Sequence, residues 1–352
     1  QAVRPQVVAD LADRLLEGVP QKMRPVFEAA AVLRYFNVEA LGALVDRGNT
    51  ERLYAELRRW PFIRPRREGL AVHDTMREMI NEALQVRTPQ RFRTLHEQAG
   101  AYYEAHLEKV RGDERERYAL ERLYHRVCAD EENGVLLFQE IAEELTRYRL
   151  VNRLRALLND VNTYPLEQEN SLLWRKYYNA RLAHMEVQIG DAEQVYQAIG
   201  ENERVEPKLR AYGLCDWGGV LCRKERIRQP DAEEKAIQVL KSSLNTESAT
   251  DVKLATSWLH LSDIYIAKAD WEKALFYLEQ PRKSFTARND YSGLLTVLEY
   301  ERGIYGRQGN LRKTYDIEKE MWNIYTAAGE PPYLRIRIPP TWEWAWAGSY
   351  AQ

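Results

Sequence analysis

The sequence predicts a mainly α-helical protein, and three observations support this prediction. Three short apolar helical patterns precede one β-hairpin pattern, which is the element order of a winged helix. Later in the chain, paired helical patterns recur with turns between them, as in an α-solenoid. No alternation of strand and helix patterns predicts a parallel sheet. The 352 residues are therefore divided into a connector helix (1–20), a winged-helix domain with a short β-hairpin (21–112), a helical arm (113–165), the solenoid (166–335) and a Trp-rich tail (336–352).

Charge and cysteine content limit the class of protein. The 51 basic and 53 acidic residues leave a formal net charge of −2, so no global basic excess favours nucleic acid or an anionic membrane. Because the sequence has no long apolar run, we expect neither a membrane segment nor a signal peptide. Cys128, Cys215 and Cys222 are too few for a disulfide framework or metal cluster, and we expect the last two to be small buried side chains. These features favour a cytoplasmic location. Since the chain begins with Gln rather than Met, we also expect a fragment of a longer protein.

The winged-helix prediction depends on the first 85 or so positions. Apolar residues at helical spacing predict the connector over residues 6–17, and then helices over Val26–Tyr35, Val38–Val45 and Thr50–Leu57. The hairpin follows, with strand formers at Phe62 and Ile63 and a turn at Glu68-Gly69 that uses the freedom of glycine at positive φ. Its tip carries the basic side chains Arg64, Arg66 and Arg67.

A histidine lies where the second strand meets the next helix. His73 follows Val72, and Asp74 is the predicted N-cap of a helix whose apolar face holds Met76, Met79, Ile80 and Leu84. A histidine in this place is usually a capping or packing residue, and that interpretation stays open.

This region resembles the winged-helix subdomain of STAND ATPases of the NB-ARC type, from Phe27-Glu28-Ala29-Ala30-Ala31-Val32-Leu33-Arg34-Tyr35-Phe36 to Val72-His73-Asp74. The family carries a Met-His-Asp motif at the same strand-to-helix junction, and Val72 replaces its methionine here. The resemblance implies that His73, presented by Asp74, senses the phosphate of ADP bound to a nucleotide-binding domain. This chain has no Gly-x-x-x-x-Gly-Lys-Ser/Thr loop. We therefore expect no cofactor in this chain itself, with ADP or ATP bound in the intact protein.

A further helix is predicted from Thr88-Pro89 onward, with Thr88 as the cap and Pro89 in the first turn. This helix continues through Phe92, Leu95, His96, Ala99, Tyr102 and Tyr103. A charge-dense stretch over residues 110–117 precedes the next helix, which contains His125. Cys128 lies three residues later, but two further ligands are missing, so we predict no zinc site. Helices over Glu132–Arg147 and Asn152–Val161 complete the arm.

From residue 166 the helix pairs resemble tetratricopeptide repeats. Turns at Gly190-Asp191-Ala192, Gln229-Pro230-Asp231, Ala269-Asp270-Trp271 and Gly309-Asn310-Leu311 recur at roughly 40 residues, against about 34 in that repeat. The third pair matches best, with Ser262 and Ala274 where the paired helices approach closely. Register then predicts a partner-binding groove lined by Tyr177, Ala180, His184, Leu259, Asp263, Ile266, Glu299 and Arg307. The alternative is that several of these are solvated or packing residues, since tyrosines at helical spacing more often lie in a core.

The end of the chain departs from the repeat pattern. After Pro331-Pro332, residues 334–338 alternate like a strand, and Trp342, Trp344 and Trp346 fall on one side of an extended segment. We expect this tail to cover the open end of the solenoid, with a partner protein as the alternative.

Two functions compete at this stage. The resemblance implies the sensor and regulatory half of a signalling or defence switch. Its repeats would bind a protein or peptide trigger, its winged helix would dock on the protein's own nucleotide-binding domain, and oligomerisation would accompany activation. The alternative is a DNA-binding transcription regulator whose repeats form an effector-binding scaffold. Against it, the Thr50–Leu57 helix sets Glu51 and Glu56 beside Arg52, which leaves few donors for bases. No nucleophile–base pair or paired-carboxylate motif indicates an enzyme.

Overall fold

The computed structural model describes residues 18–45, 47–223, 230–246 and 251–327. Within these ranges the chain forms 16 α-helices, one short 3₁₀ turn and one two-stranded antiparallel sheet. The prediction of a mainly α protein is thus confirmed. None of the helices in these ranges is long and apolar enough to cross a bilayer. The predicted connector helix over residues 6–17 and the Trp342, Trp344 and Trp346 tail lie outside the described residues.

The chain divides between Glu186 and Val187 into two compact units. The first helix of the predicted first pair therefore belongs to the first unit and the second helix to the second. The predicted five-part division itself stays a prediction.

The first unit is built from the hairpin and nine helices among its described residues. Their bounds are α1 Arg24–Val32, α2 Val38–Leu44, α3 Thr50–Leu57, β1 Ile63–Arg66, β2 Gly69–Val72, α4 Asp74–Arg87, α5 Pro89–His106, α6 Gly112–Ala129, α7 Glu131–Arg147, α8 Val151–Val161 and α9 Glu169–Met185.

The hairpin pairs Ile63 with Val72 and Arg66 with Gly69, as the predicted turn requires. Gly69 has a φ of +139°, and a Cβ there would lie 2.3 Å from the carbonyl oxygen of Phe36. Phe36 and Leu70 exchange both main-chain hydrogen bonds, at 2.7 and 2.8 Å. Glycine is therefore needed at this position twice, for its backbone conformation and for the close approach of the chain before α2.

The core of the first unit joins the helices before the hairpin to those after it. Phe27 on α1 is fully buried, with its ring 5.2 Å from Trp60 and 5.1 Å from Phe62. The helix predicted from Thr88-Pro89 is α5, and the six residues named for it are all buried. The charge-dense stretch is the exposed start of α6.

Two predicted caps differ from the structure. Asp74 is not the N-cap of α4; that position belongs to His73, and Asp74 is exposed in the first turn. The cause is local, because His73 has a non-helical backbone with φ −52° and ψ 134°, and its amide still bonds to the Phe62 carbonyl of the hairpin. Thr88 does occupy the N-cap of α5, but its hydroxyl donates to the Leu84 carbonyl of α4 instead of capping α5.

The second unit contains seven helices within the described ranges. They are α10 Ile189–Glu201, α11 Pro207–Leu221, α12 Pro230–Leu244, α13 Asp251–Ala267, α14 Trp271–Ala287, α15 Tyr291–Arg307 and α16 Leu311–Ala327. The predicted turns before α14 and α16 are confirmed, and both turns supply the N-cap of the helix that follows. Asp270 accepts from the Lys273 amide, and Asn310 accepts from the Lys313 amide, both at 3.2 Å. By contrast, Gly190 and Asp191 lie in the first turn of α10 and do not separate two helices.

Small residues let the third helix pair pack closely, as predicted. Ser262 on α13 and Ala274 on α14 are both fully buried. The Ser262 hydroxyl donates to the Ala274 carbonyl at 3.0 Å, so the contact also satisfies a buried polar group.

The cysteines are free and behave as predicted. Cys215 and Cys222 on and just after α11 are buried, and their thiols face the carbonyl oxygens of Lys253 and His260. Burial raises the pKa of both Cys128 and Cys222 to about 12, so neither is a reactive thiolate at neutral pH.

Candidate functional site

The strand-to-helix junction at His73 is held by the main chain. The His73 amide donates to the Phe62 carbonyl at 2.8 Å, and its own carbonyl accepts from the Arg77 amide at 2.9 Å. Val72 before it is buried, whereas the His73 side chain is half-buried at the surface. The main chain of His73 is therefore fixed by hydrogen bonds, while part of its imidazole ring is accessible to solvent.

No side-chain cap is bonded to the first turn of α4. The backbone amides of this turn and the positive end of the helix dipole therefore lie at the N-terminus of α4, next to His73. Asp74 is exposed beside them and adds a negative charge. The junction combines donors that suit an oxyanion with one carboxylate that opposes it.

The hairpin presents its basic residues to solvent. Arg64, Arg66 and Arg67 are all exposed, as are Arg58 and Arg59 between α3 and the first strand. Long cationic side chains on a hairpin tip are well placed to meet phosphates, which is the contact that the DNA-binding alternative requires.

Arg34 connects the segment after α1 to α6 and α8. Its guanidinium lies 2.7 Å from Glu121 on α6 and 2.6 Å from Asp160 on α8, and it stacks 4.6 Å from the Tyr124 ring. Tyr164 adds a hydrogen bond to Asp160 at 2.7 Å. Burial raises the pKa of Glu121, and the positive charge of Arg34 partly offsets that effect. One cation thus holds three parts of the unit in a fixed arrangement.

A buried histidine pair lies beside this network. The Nδ1 atoms of His96 on α5 and His125 on α6 are 2.9 Å apart, so one ring donates and the other accepts. Burial lowers the pKa of His96 to about 3 and that of His125 well below its ordinary value, and the positive charge of Arg77 adds to both shifts. His125 thus faces another histidine, and within the described ranges no group of three His, Cys, Asp or Glu side chains is placed to hold a metal ion.

An open cleft of about 700 Å³ lies between α2, α3 and α5. Its charged and titratable lining is mixed, with Glu39 and Glu51 facing Arg52 and His106. This balance of signs favours no particular class of ligand.

The residues predicted to line a groove do not share one environment. Tyr177 on α9 is fully buried, with its ring 5.7 Å from Trp174 and 5.0 Å from Tyr178, so it has no surface to offer a partner. It is a buried packing residue of α9. His184, the penultimate residue of α9, is half-buried.

The other predicted groove residues belong to the second unit. Leu259 and Ile266 on α13 pack against its apolar core and are only partly buried. Asp263 accepts a hydrogen bond from Tyr300 on α15 at 3.0 Å, so it links neighbouring helix pairs. Glu299 is half-buried and Arg307 is exposed. Of these five, Arg307 is the most accessible to a partner, and the groove itself stays a prediction.

Sequence reasoning missed the Arg34 network and the histidine pair. Glu121 and His125 lie on the same helix as five exposed charged residues, so nothing in their local pattern sets them apart. His96 gave a signal, since it is among the residues named for the helix predicted from Thr88-Pro89, but its partner comes from another helix.

No protein-family model matches this chain, and neither a curated protein nor a solved structure shows significant similarity to it.

Proposed function

We propose that this chain is the regulatory and partner-binding part of a STAND-type signalling switch. In this proposal residues 21–112 form the winged helix, the helix pairs form a tetratricopeptide-like solenoid that binds a protein or peptide trigger, and nucleotide is bound by a separate domain. The observation that carries it is the His73 junction, where a half-buried histidine stands at an uncapped helix start behind a three-helix, one-hairpin arrangement.

The proposed mechanism uses the donors at this junction. The terminal phosphate of ADP is negative, and a histidine N–H can donate to it. That contact exists only when the winged helix is docked on the nucleotide-binding domain, so it stabilises the closed state selectively. A hydrogen bond to a charged group contributes about 1.5–3 kcal/mol, which shifts a two-state equilibrium roughly ten- to a hundredfold.

The test is His73→Ala in the intact protein. We expect effector output or oligomer formation without the trigger, while the helical content stays unchanged. Thr75→Ala is the matched control, because Thr75 is exposed in the same turn of α4. If His73→Ala stays silent and keeps ADP as wild type does, the histidine has only a packing role.

Asp74 contributes less to this mechanism than it would as the N-cap of α4. As an exposed first-turn residue it stabilises α4 through the helix dipole. Asp74→Val should therefore loosen the closed state less than His73→Ala does. Equal or greater activation by Asp74→Val would show that the junction works differently.

A second function is favoured by the exposed arginines of the hairpin. If Arg64, Arg66 and Arg67 contact DNA phosphates, mixed-sequence duplex should bind this chain at low salt, and changing all three to Ala should reduce the salt slope. The matched control removes three exposed arginines elsewhere in the unit, Arg93, Arg115 and Arg126. The switch proposal predicts no complex at physiological salt. A salt-tolerant, sequence-specific complex would replace it with the transcription-regulator function.

A further inference from the structure

The last described helix carries an exposed apolar face. On α16, Leu311 is 78% exposed and Tyr315 is 66% exposed, and Trp322 is 49% exposed. Spacings of four and seven residues place the three side chains on one side of the helix. We call these three residues the α16 stripe. Large exposed apolar faces on a helix usually mark a surface that something else covers.

Comparison with α14 shows which face the stripe is. Asp270 and Asn310 cap α14 and α16 in the same way, and both helices have 17 residues. Aligning the two caps makes three positions of α14 equivalent to the stripe, namely Trp271 to Leu311, Leu275 to Tyr315 and Arg282 to Trp322.

In α14 these equivalent positions face the rest of the unit. Trp271 and Leu275 pack against the apolar core, and Arg282 pairs with Glu301 on α15 and with Glu320 on α16 at 2.6 Å. Among the described residues α14 packs against helices on both sides, α13 and α15, whereas α16 packs against α15. The stripe is therefore the face with which a helix of this unit packs against its neighbours. Ala327, at the end of α16, is the last described residue.

We propose that residues 328–352 of this same chain cover the α16 stripe. The segment begins directly after Ala327 and carries apolar side chains that suit an apolar helix face, namely Leu334, Ile336 and Ile338 and then Trp342, Trp344 and Trp346. From Ala327 back to Leu311 the helix is about 24 Å long at about 1.5 Å per residue. An extended chain covers that distance in about seven residues. The apolar residues begin at position 334, so they can reach the whole stripe.

Limited trypsin digestion of the full chain tests this proposal, because Arg335 and Arg337 lie between the apolar residues of the segment. Cleavage after these two arginines is followed by mass spectrometry and compared with a free synthetic peptide of residues 328–352. We expect the full chain to be cleaved at least tenfold more slowly than the peptide. Leu311→Asp combined with Tyr315→Asp should return the rate to within about twofold of the peptide.

The control is Phe276→Asp, because Phe276 is 61% exposed on α14 but lies away from the face equivalent to the stripe. It should keep the protection of wild type. Circular dichroism checks that the variants stay folded, which we expect since the substituted side chains are exposed.

Three outcomes would overturn the proposal. One is wild-type cleavage at the rate of the free peptide. Another is protection that survives the Leu311→Asp and Tyr315→Asp changes, since the segment would then be held elsewhere. The third is protection that disappears on dilution, which would assign the stripe to a second copy of the chain.

Discussion

Acidification should destabilise the first unit through the buried pair of His96 and His125. In the unfolded chain both titrate near the ordinary value of 6.5, whereas burial holds the pKa of His96 at about 3 and that of His125 well below normal. Between these values the unfolded state binds more protons than the native state, so stability is complete above about pH 6.5 and is lost as the pH falls.

The size of this loss follows from the two shifts. At pH 5.5, one unit below the ordinary pKa, each histidine kept neutral costs about 1.4 kcal/mol, or about 3 kcal/mol for the pair. Arg34 and Arg77 are positive and add to the lowering of the His125 pKa, and the Glu121 carboxylate, 3.9 Å from His125 Nε2, is already paired with Arg34 at 2.7 Å.

A variant with both histidines changed to asparagine isolates the effect. The Asn side chain places its amide where Nδ1 of His stands, so the bond between the two residues can persist as N–H···O without a titratable group. We would follow urea unfolding by circular dichroism at pH 7.5, 6.5 and 5.5. The variant should lose about 3 kcal/mol less than wild type between the first and last pH. Parallel pH profiles for the two proteins would refute the reasoning.

Three further substitutions should separate strong interactions from weak ones. Arg34→Met leaves the buried Glu121 unpaired and should lower the free energy of unfolding in urea by about 3–5 kcal/mol. This loss should be smaller at pH 5 than at pH 8, because burial raises the pKa of Glu121 and protonation removes its charge. Lys253→Met should cost a similar amount in the second unit, since its ammonium is buried 3.0 Å from Asp216, and adding Asp216→Leu should restore most of the loss in thermal melts. Asn37→Ala should cost about 1 kcal/mol by removing the α2 cap, which accepts from the Ala40 amide at 2.8 Å, while Asn37→Ser should retain most of the stability.

Local patterns were sufficient to predict most of the secondary structure. The helix over Thr50–Leu57, the hairpin turn at Gly69 and the turns at Asp270 and Asn310 depend on residues within a few positions of one another. Hydrophobic spacing, capping chemistry and glycine conformation act at this range, so a single sequence contains the information. The one-residue difference between Asp74 and His73 at the start of α4 marks the limit of that precision.

The candidate site was predictable only in part, for the same reason. His73 could be placed at a strand-to-helix junction, because the two elements on either side of it are local. Its half-buried state depends on how the hairpin packs, which the local pattern does not contain.

Tertiary structure alone decided the buried polar groups. Arg34 meets Asp160 across 126 positions of the chain, and His96 meets His125 across 29. Tyr177 is likewise fully buried, although its helical spacing also fitted a binding surface. The physical reason is common to these cases. The sequence does not show whether a charged or aromatic side chain is solvated or buried. Burial is decided by the long-range packing of helices, which removes water from the side chain.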